Sequence, residues 1–258
     1  MDIQIILLGI LQGLLEWLPV SSSGQASLFY SRILGLDPLL GFKLGIAAHF
    51  GTGLSAIVYF RRELKNLYRL DLDNIWFKIF TIPTIAALPI GYTLYLLVTD
   101  IESSFFEPLT GAALILTGLI LYKFGRYGVR DVWTLKTSEL VIVGLIEGIA
   151  IIPGLSRSAL TIAALSLLGL NSRDSVRASF IMAIPATILA GLYQLIDLEV
   201  IDYIDPLASL TLLITSFLTG LITIGFIYTI ASKLRENIAI LLVILGGIIL
   251  AIYIPLFL

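Results

Sequence analysis

Long runs of apolar residues, separated by short charged loops, make up most of the chain. An α-helix needs about 20 mostly apolar residues to cross the hydrocarbon core of a membrane. The pattern therefore predicts an all-α integral membrane protein with six transmembrane helices. The predicted spans are residues 39–60, 75–98, 108–124, 175–195, 207–230 and 238–257.

Two further apolar segments, residues 1–36 and 138–170, are interrupted in the middle. The first is broken at Pro19 and by the serines that follow it, and the second is broken at Pro153-Gly154. Each half is about a dozen residues long, which is too short to cross a membrane. Non-helical backbone is tolerated at membrane depth where it is buried in protein or lines a cavity. We therefore predict two re-entrant helical hairpins.

Loop charges predict how the chain is oriented, because loops that face the cytoplasm are rich in Lys and Arg. Residues 61–65, 123–136 and 233–235 carry basic side chains, whereas residues 100–107 and 197–205 are acidic and lack Lys and Arg. With the basic loops inside, the first hairpin enters the membrane from the outer side. The second hairpin then enters from the cytoplasmic side, so the two have opposite orientations.

The two interrupted segments also match each other at a constant separation of 134 residues, measured from Pro19 to Pro153. Together with the opposite orientations, this predicts an inverted-topology repeat, residues 1–124 and 138–258, inside a single membrane domain that comprises residues 1–258. In such folds the broken helices meet near the middle of the membrane and build the site there. The same separation pairs Leu34-Gly35-Leu36 with Leu168-Gly169-Leu170, Lys43 with Arg177 and Tyr59 with Tyr193, and a one-residue gap pairs Gln12-Gly13 with Glu147-Gly148.

Composition narrows the class of protein. Hydrophobic residues make up 58% of the 258 residues and charged residues only 13%, which is typical of a chain embedded in lipid. Cysteine is absent from the sequence, which excludes a disulfide framework and a thiol nucleophile. The formal net charge of -2 and the lack of a basic arm argue against a nucleic-acid partner. Membrane lipids are the expected surroundings, and a homodimer is one arrangement that the sequence allows.

The first hairpin concentrates polar side chains at its break. Gln12 and Glu16 are four residues apart, which places them on one face of a helix. Ser21, Ser22 and Ser23 stand at the start of the second half-helix. Serine is a preferred N-cap residue, and a helix N-terminus is also a binding site for anions. We therefore predict that one serine caps the half-helix and that the three serines bind phosphate.

The second hairpin repeats this arrangement and adds a fixed positive charge. Glu147 lies on its first half, and Ser156, Arg157 and Ser158 follow the break. Arginine presents a fork of donors that matches phosphate oxygens. If the two breaks converge, they bring together two helix N-termini, several hydroxyls, one guanidinium and two carboxylates. That set is suited to a phosphate-bearing ligand and to a divalent cation that bridges carboxylate and phosphate oxygens.

Structural explanations for the same residues remain open at this point. The serines can simply cap a broken helix, Glu16 can reach the membrane interface, and Arg157 can be a cytoplasmic anchor. An ionisable group inside a membrane segment is nevertheless a functional hypothesis by default. His49, the only histidine in the sequence, is predicted to form a hydrogen bond in helix packing rather than to act as a general base. Lys43 and Arg177 are predicted to mark helix ends.

The two breaks also resemble a known family. The stretches EWLPVSSSG, Glu16 to Gly24, and PGLSRSA, Pro153 to Ala159, resemble the two signature regions of the BacA-type undecaprenyl-diphosphate phosphatases. The resemblance extends over nearly the whole chain and implies six spans and two re-entrant hairpins in an inverted repeat. It implies hydrolysis of a long polyprenyl diphosphate to the monophosphate, which recycles a lipid carrier. It further implies a location in the cytoplasmic membrane, a site that opens to the outer face, and a need for Mg²⁺ or Ca²⁺.

Matched position by position, the resemblance implies roles for individual residues. Glu16 corresponds to the second carboxylate of the family's Glu-x-x-x-Glu pair. Ser22 corresponds to the nucleophilic or phosphate-contacting serine, and Ser21 lies beside it. Arg157 corresponds to the arginine that clamps phosphate, with the flanking serines in their family positions.

The chain departs from the family pattern at two positions. Gln12 stands where the family has its first glutamate, and Gln25 stands where the family has a histidine. Glutamine neither offers a metal a negative charge nor takes up a proton at neutral pH. Glu147 occupies the repeat position of Gln12 and can restore the pair, so Glu16 and Glu147 are the expected metal ligands. Either carboxylate can also serve as the missing base, with His49 as a less favoured substitute.

Two other functions remain open from the sequence. Inverted repeats with broken helices are also the architecture of transporters, so a carrier or flippase for lipid phosphates or small anions is one alternative. A catalytically inactive lipid-binding relative is the other, because the motif histidine is missing.

Overall fold

The computed structural model describes residues 2–35, 37–65, 67, 70–124, 127–230 and 235–253. Leu36, Lys233 and residues 254–257, to which the predictions above also refer, lie outside these ranges. The described residues form helices joined by short loops, which confirms the all-α prediction. The helices are α1 (Asp2–Leu15), α2 (Ser22–Leu34), α3 (Pro38–Tyr59), α4 (Arg61–Leu64), α5 (Ile75–Thr99), α6 (Ser103–Phe124), α7 (Thr137–Ile149), α8 (Arg157–Leu167), α9 (Ser172–Leu195), α10 (Leu198–Tyr203), α11 (Pro206–Ile230) and α12 (Arg235–Tyr253).

Among the described residues, five helices are long and apolar enough to cross a membrane: α3, α5, α6, α9 and α11. They confirm five of the predicted spans, and the chain is a multi-pass integral membrane protein. The sixth predicted span corresponds to α12, whose apolar part is Asn237–Tyr253. Helix α6 begins at Ser103, before the predicted start at residue 108, because Glu107 is buried and paired with Arg32 (Oε2 to Nε, 2.8 Å). A paired charge can be included in an apolar helix.

The two interrupted segments are each broken into a pair of short helices at the predicted places. Helix α1 ends at Leu15 and α2 begins at Ser22, while α7 ends at Ile149 and α8 begins at Arg157. The residues between them form turns that are closed by backbone hydrogen bonds. Each half-helix is therefore too short to cross a membrane by itself.

Helix α1 packs closely on α11 because small residues face the contact. A Cβ on Gly9 or Gly13 would collide with threonine side chains of α11. Thr223 Oγ1 donates a hydrogen bond to the carbonyl of Gly13 at 2.7 Å, and Thr219 Oγ1 donates to the carbonyl of Gly9 at 3.4 Å. Small residues at this spacing let helix backbones approach each other in membranes. The contact fixes the half-helix that leads to the first break.

Helix α7 packs on α5 in the same way. A Cβ on Gly148 would lie 2.7 Å from the carbonyl oxygen of Ala87, and a Cβ on Gly144 would collide with Pro83. The two glycines are again four residues apart, so they share one face of α7. This contact fixes the half-helix that leads to the second break.

Lys43 and Arg177 do not mark helix ends, which corrects that prediction. Both lie more than one turn inside their helices, α3 and α9. Lys43 Nζ is 2.6 Å from Glu199 Oε2, and the guanidinium of Arg177 pairs with Glu63 and lies over the ring of Trp76 at 4.5 Å. A cation can stay inside a membrane helix when a carboxylate from a neighbouring element compensates it.

Candidate active site

A cavity of about 480 Å³ lies between the two hairpins and helices α3, α5 and α9. Its walls include residues from both breaks, so residues far apart in sequence come together there. The predicted site residues that line the cavity are Glu16, Ser21, Ser22, Ser23, His49, Glu147, Ser156, Arg157 and Ser158.

Glu16 is the centre of the hydrogen-bond network in this cavity. It follows α1 directly, and its Oε2 accepts from Gln12 Nε2 at 2.8 Å and from Ser22 Oγ at 2.6 Å. His49 Nε2 lies 3.0 Å from the same oxygen, and Arg157 Nη2 donates to Oε1. A buried carboxylate is stable when it is paired and hydrogen-bonded in this way. The four partners come from α1, α2, α3 and α8, so Glu16 ties both hairpins to a long span.

Trp17 holds the backbone next to Glu16. Its side chain is fully buried, and its ring centroid lies 5.1 Å from that of Phe180 on α9. A large aromatic ring buried against a neighbouring helix restricts the turn that carries it. The position of the Glu16 carboxylate is thereby set from the backbone side as well as by its hydrogen bonds.

Ser22 is the first residue of α2, and its hydroxyl proton points at a carboxylate. A carboxylate only accepts, so the 2.6 Å contact with Glu16 Oε2 has Ser22 as donor. Ser22 Oγ also accepts from Gln12 Nε2 at 3.1 Å. A hydroxyl within hydrogen-bond reach of a basic group is the arrangement of an activated nucleophile. Gln12 supports that pair with two donors and adds no negative charge beside Glu16.

Arg157 is the first residue of α8 and reaches across to the other hairpin. One guanidinium nitrogen donates to Glu16. The other, Nη1, is buried and has no hydrogen-bond partner among the described residues. Arginine binds phosphate through two parallel donors. The guanidinium can thus hold Glu16 with one nitrogen and offer the second to a ligand.

Glu147 on α7 is the second carboxylate of the cavity. It is 5% exposed, and neither carboxylate oxygen has a hydrogen-bond partner in the part of the chain that the structure describes. A buried carboxylate without donors is costly unless a cation compensates it. Its two oxygens therefore fit a divalent cation, whereas both oxygens of Glu16 are already bound by donors.

The two breaks are fastened directly to each other. Ser21 Oγ accepts from the backbone N–H of Gly154 at 3.1 Å, and Ser158 Oγ donates to the carbonyl of Leu18 at 3.0 Å. Gly24 lies so close that a Cβ there would be 2.8 Å from Gly154 N. These contacts explain the glycines: no side chain fits where the two breaks cross.

The expected capping by serine is correct for one half-helix and wrong for the other. Ser156 Oγ accepts from Ala159 N at 3.3 Å, which caps α8. Ser21 precedes α2 but makes no side-chain cap; it has a φ of 60°, in the left-handed region that non-glycine residues rarely adopt. Its hydroxyl is used instead for the contact with the other break. Strained residues of this kind cluster at functional sites.

The structure places His49, and not Gln25, beside Glu16. From the sequence, His49 was predicted to have a packing role, and Gln25 stands at the position of the family's histidine. His49 Nδ1 lies 3.1 Å from the carbonyl of Ile46, which only accepts, so Nδ1 carries a hydrogen. His49 Nε2 lies 3.0 Å from Glu16 Oε2, so the imidazole faces the carboxylate from α3. Gln25 lines a separate groove of about 390 Å³, together with Phe29 and Arg32, and donates to the carbonyl of Val20 at 3.4 Å. The structure therefore does not bring Gln25 into the site. We call this groove the second groove.

Several polar residues of the cavity wall were not predicted from the sequence to belong to the site. Gln194 and Tyr193 at the end of α9, Tyr95 on α5, and two threonines line the cavity away from the serine motifs. Tyr95 OH donates to Gln194 Oε1 at 3.0 Å. The one sequence signal that could have identified these residues is a polar side chain inside an apolar span. Many residues that only stabilise helix packing show the same signal, so it does not identify a site.

The comparison with protein families agrees with this geometry. The family model described as "Bacitracin resistance protein BacA" matches residues 5–249 of the chain.

The chain belongs to the BacA family.

Relatives named undecaprenyl-diphosphatase match over most of their length. The relative from Saccharolobus islandicus strain Y.N.15.51 is 32% identical over 253 residues, which cover 94% of this chain and 93% of the relative. The relative from Haloarcula marismortui is 33% identical and covers 85% of this chain and 86% of the relative. That from Methanothrix thermoacetophila is also 33% identical, with 86% of each covered. The BacA resemblance predicted from the two breaks is confirmed.

The signature stretches of this BacA chain are the two breaks that meet in the cavity. Residues 16–24 and 153–159 are far apart in sequence, yet Glu16 and Arg157 form an ion pair between them. The structure thus explains why the two stretches form one signature: neither completes the site without the other.

Proposed function

We propose that this chain hydrolyses a long-chain polyprenyl diphosphate of the undecaprenyl type to the monophosphate. The observation that carries the proposal is the Glu16 network, in which a carboxylate binds a serine hydroxyl at 2.6 Å and an arginine from the other hairpin. The relatives named as diphosphatases support hydrolysis over lipid-phosphate transport and over inactive lipid binding. The apolar remainder of the cavity wall suits the lipid part of such a substrate.

In the proposed reaction, Ser22 Oγ attacks the terminal phosphorus while its proton passes to Glu16 Oε2. The bond from that phosphorus to the bridging oxygen breaks, and the polyprenyl monophosphate leaves with the electron pair. Water then attacks the phosphorus of the phosphoserine, the bond from phosphorus to Ser22 Oγ breaks, and the proton held by Glu16 returns to Ser22. The phosphorus leaves as inorganic phosphate, which keeps the oxygen and the protons of the water. Arg157 and the N-termini of α2 and α8 stabilise the charge on the phosphoryl oxygens throughout. Ser21, Ser23, Ser156 and Ser158 complete the predicted phosphate-binding wall.

A divalent cation, Mg²⁺ or Ca²⁺, is part of the proposal. A diphosphate enters a cavity that already contains two carboxylates and one guanidinium, so its charge needs further compensation. Glu147 would hold the cation, because its oxygens are free of donors within the described residues. The bound cation would supply a positive charge to the diphosphate oxygens. No cluster of three His, Cys, Asp or Glu side chains suited to a metal occurs among the described residues, so substrate and water oxygens would complete its coordination.

We further propose that the fold has six spans and two re-entrant hairpins in an inverted repeat of residues 1–124 and 138–258. The contact of α1 with α11 corresponds to that of α7 with α5. Gly35 and Gly169, 134 residues apart, both follow a second half-helix with a positive φ of 65° and 89°. Asp37 and Asn171, at the same separation, cap α3 and α9 through their side chains. Such repeated local geometry is expected of a repeated structural unit.

Two ion pairs that connect the two repeats also support the proposed inverted repeat. Lys43 of the first repeat pairs with Asp197 of the second, and Arg177 of the second pairs with Glu63 of the first. Both the cations and the carboxylates are 134 residues apart in sequence. In the proposed orientation the protein lies in the cytoplasmic membrane with the pair at Asp197 on the outer side, and the cavity opens to that side.

The function is tested with the purified protein in detergent. Given a polyprenyl diphosphate with Mg²⁺ or Ca²⁺, it is expected to release inorganic phosphate and to leave the polyprenyl monophosphate. The measurement is phosphate release with and without a chelator. Absence of release with either metal across a broad pH range would contradict the proposal. Movement of a labelled lipid phosphate between the leaflets of vesicles, without release, would favour a transporter.

The same assay tests whether His49 or Gln25 contributes to activity. His49→Gln is expected to lower kcat/KM by roughly 10²-fold, because it removes a proton-carrying group from Glu16. Gln25→His is expected to stay within about twofold of the wild type, because this side chain faces the second groove. Adding Gln25→His to His49→Gln should not restore activity. Recovery in that double variant would show that the motif position reaches the site after all.

A further inference from the structure

Gln194 is a fully buried amide at the end of α9, on the cavity wall but outside the Glu16 network. Its Nε2 is buried and has no hydrogen-bond partner among the described residues. A buried N–H that lacks an acceptor is destabilising, and such groups are uncommon in folded proteins. The donor therefore calls for an acceptor that the protein itself does not supply there.

Tyr95 binds one end of this amide. Tyr95 OH donates to Gln194 Oε1 at 3.0 Å, so the carbonyl end is engaged and the NH₂ end is left. Tyr95 itself is buried and packs edge-to-face on Tyr193, with ring centroids 5.5 Å apart. The amide is consequently held at one end before any ligand arrives, which reduces the entropy lost on binding.

The fold does not require an amide at this position. In the proposed repeat, the residue 134 positions before Gln194 is Phe60. Phe60 is buried and packs on the ring of Tyr59, with centroids 4.9 Å apart. An apolar side chain thus fills the corresponding place in the first repeat. Gln194, on the cavity wall, differs from this counterpart by carrying a buried amide.

Neighbouring polar groups are already engaged and do not supply the acceptor or compete for the ligand. Lys43 Nζ is bound by Glu199 at 2.6 Å and by Asp197 at 3.4 Å. Thr187 Oγ1, also on the cavity wall, donates to the carbonyl of Ala183 at 2.8 Å. The buried donor without a partner in this part of the described wall is the Gln194 amide, so the group that it recognises is an acceptor oxygen.

We propose that Gln194 Nε2 donates to a phosphoryl oxygen and forms a second phosphate-binding position in the cavity, outside the network of Glu16 and Arg157. This inference rests on the proposed function, because a phosphatase cavity must hold phosphoryl oxygens of the substrate and of the released phosphate. The oxygen belongs either to the lipid diphosphate or to free inorganic phosphate. Both present the same acceptor chemistry, and the test distinguishes the two sources.

The test compares Gln194→Leu with the wild type, using inorganic phosphate as the probe. Leucine has a similar size and lacks the donor. A rise of about tenfold in the inhibition constant of phosphate assigns the position to free phosphate, and a rise of about tenfold in KM assigns it to the lipid diphosphate; either result supports the proposal. Gln4→Leu is the matched control, because Gln4 is half-buried on α1 and does not line the cavity; it should change neither constant.

Tyr95→Phe gives a second variant that keeps the fold and removes only the hydroxyl that orients the amide. It should shift the same constant as Gln194→Leu, by about threefold. If neither variant changes KM or the inhibition constant, the inference is wrong while the phosphatase proposal stands.

A wild type that releases no phosphate would instead defeat the proposed function. Whether Gln194 forms a second phosphate-binding position is then tested by thermal unfolding with added inorganic phosphate. A tenfold higher phosphate concentration for half-maximal stabilisation of Gln194→Leu supports it, and an unchanged concentration overturns it.

Discussion

Arg157→Lys is expected to lower kcat/KM for polyprenyl diphosphate by roughly 10³-fold, although the positive charge is retained. Arginines that stabilise a transferring phosphoryl group contribute about this much. Arg157 uses one nitrogen to bind Glu16 and keeps Nη1 buried and unpartnered within the described residues. Lysine is a single point charge and cannot hold both partners in a planar fork. Initial rates of phosphate release at several substrate concentrations measure the effect.

Arg32→Lys is the matched control for this substitution. Arg32 also pairs with a buried glutamate, Glu107, at 2.8 Å, but it lines the second groove. The control should remain within about twofold of the wild type, because an exchange of one partly exposed ion pair has a small effect. If Arg157→Lys kept a third or more of the wild-type kcat/KM, the guanidinium would have no part in binding the reacting phosphate.

Glu16→Gln should reduce phosphate release by at least roughly 10³-fold. Glutamine has the same shape as glutamate and can still accept from Gln12 and His49, but it cannot take the proton of Ser22. The 2.6 Å contact with Ser22 would therefore remain as a hydrogen bond without a base. Single-turnover rates measure the chemical step apart from product release.

Glu107→Gln is the corresponding control, since it neutralises a glutamate of similar burial at the second groove. Removing one charge of the buried Glu16 and Arg157 pair can also destabilise the fold. The double variant Glu16→Gln with Arg157→Met removes both charges and should recover thermal stability without recovering activity. A Glu16→Gln protein that is folded and retains a tenth of the activity would show that another group takes the proton.

The convergence of the two breaks was predictable because it rests on local signals that point in the same direction. Pro19 and Pro153 interrupt apolar segments that are otherwise uniform, and each is followed by serines. Polar groups at membrane depth need partners, which in a chain of this composition come mainly from other polar residues in the membrane. Glu16, Ser22 and Arg157 could therefore be chosen without coordinates, and they are in direct contact.

Which side chains complete the site could not be predicted in the same way. Gln25 follows the serines within one turn, yet its side chain faces the second groove. His49 is 33 residues from Glu16 in the sequence and approaches it because α3 packs beside α1 and α2. The rotation of each helix about its axis decides such contacts, and in uniformly apolar helices the hydropathy pattern carries little information about that rotation.

The order of apolar and polar residues by itself determined that the protein is a helical membrane protein, where its helices are broken and which charged residues stand at the breaks. These features depend on helix length and on the cost of polar groups in lipid, which are properties of short segments. Only the tertiary structure decided that Glu16 has four polar partners, that Glu147 has none among the described residues, and that Gln194 on the cavity wall keeps a buried N–H without a partner in the same part of the chain. Those facts depend on atoms from separate helices meeting within hydrogen-bond distance, which requires the packed arrangement of the whole chain.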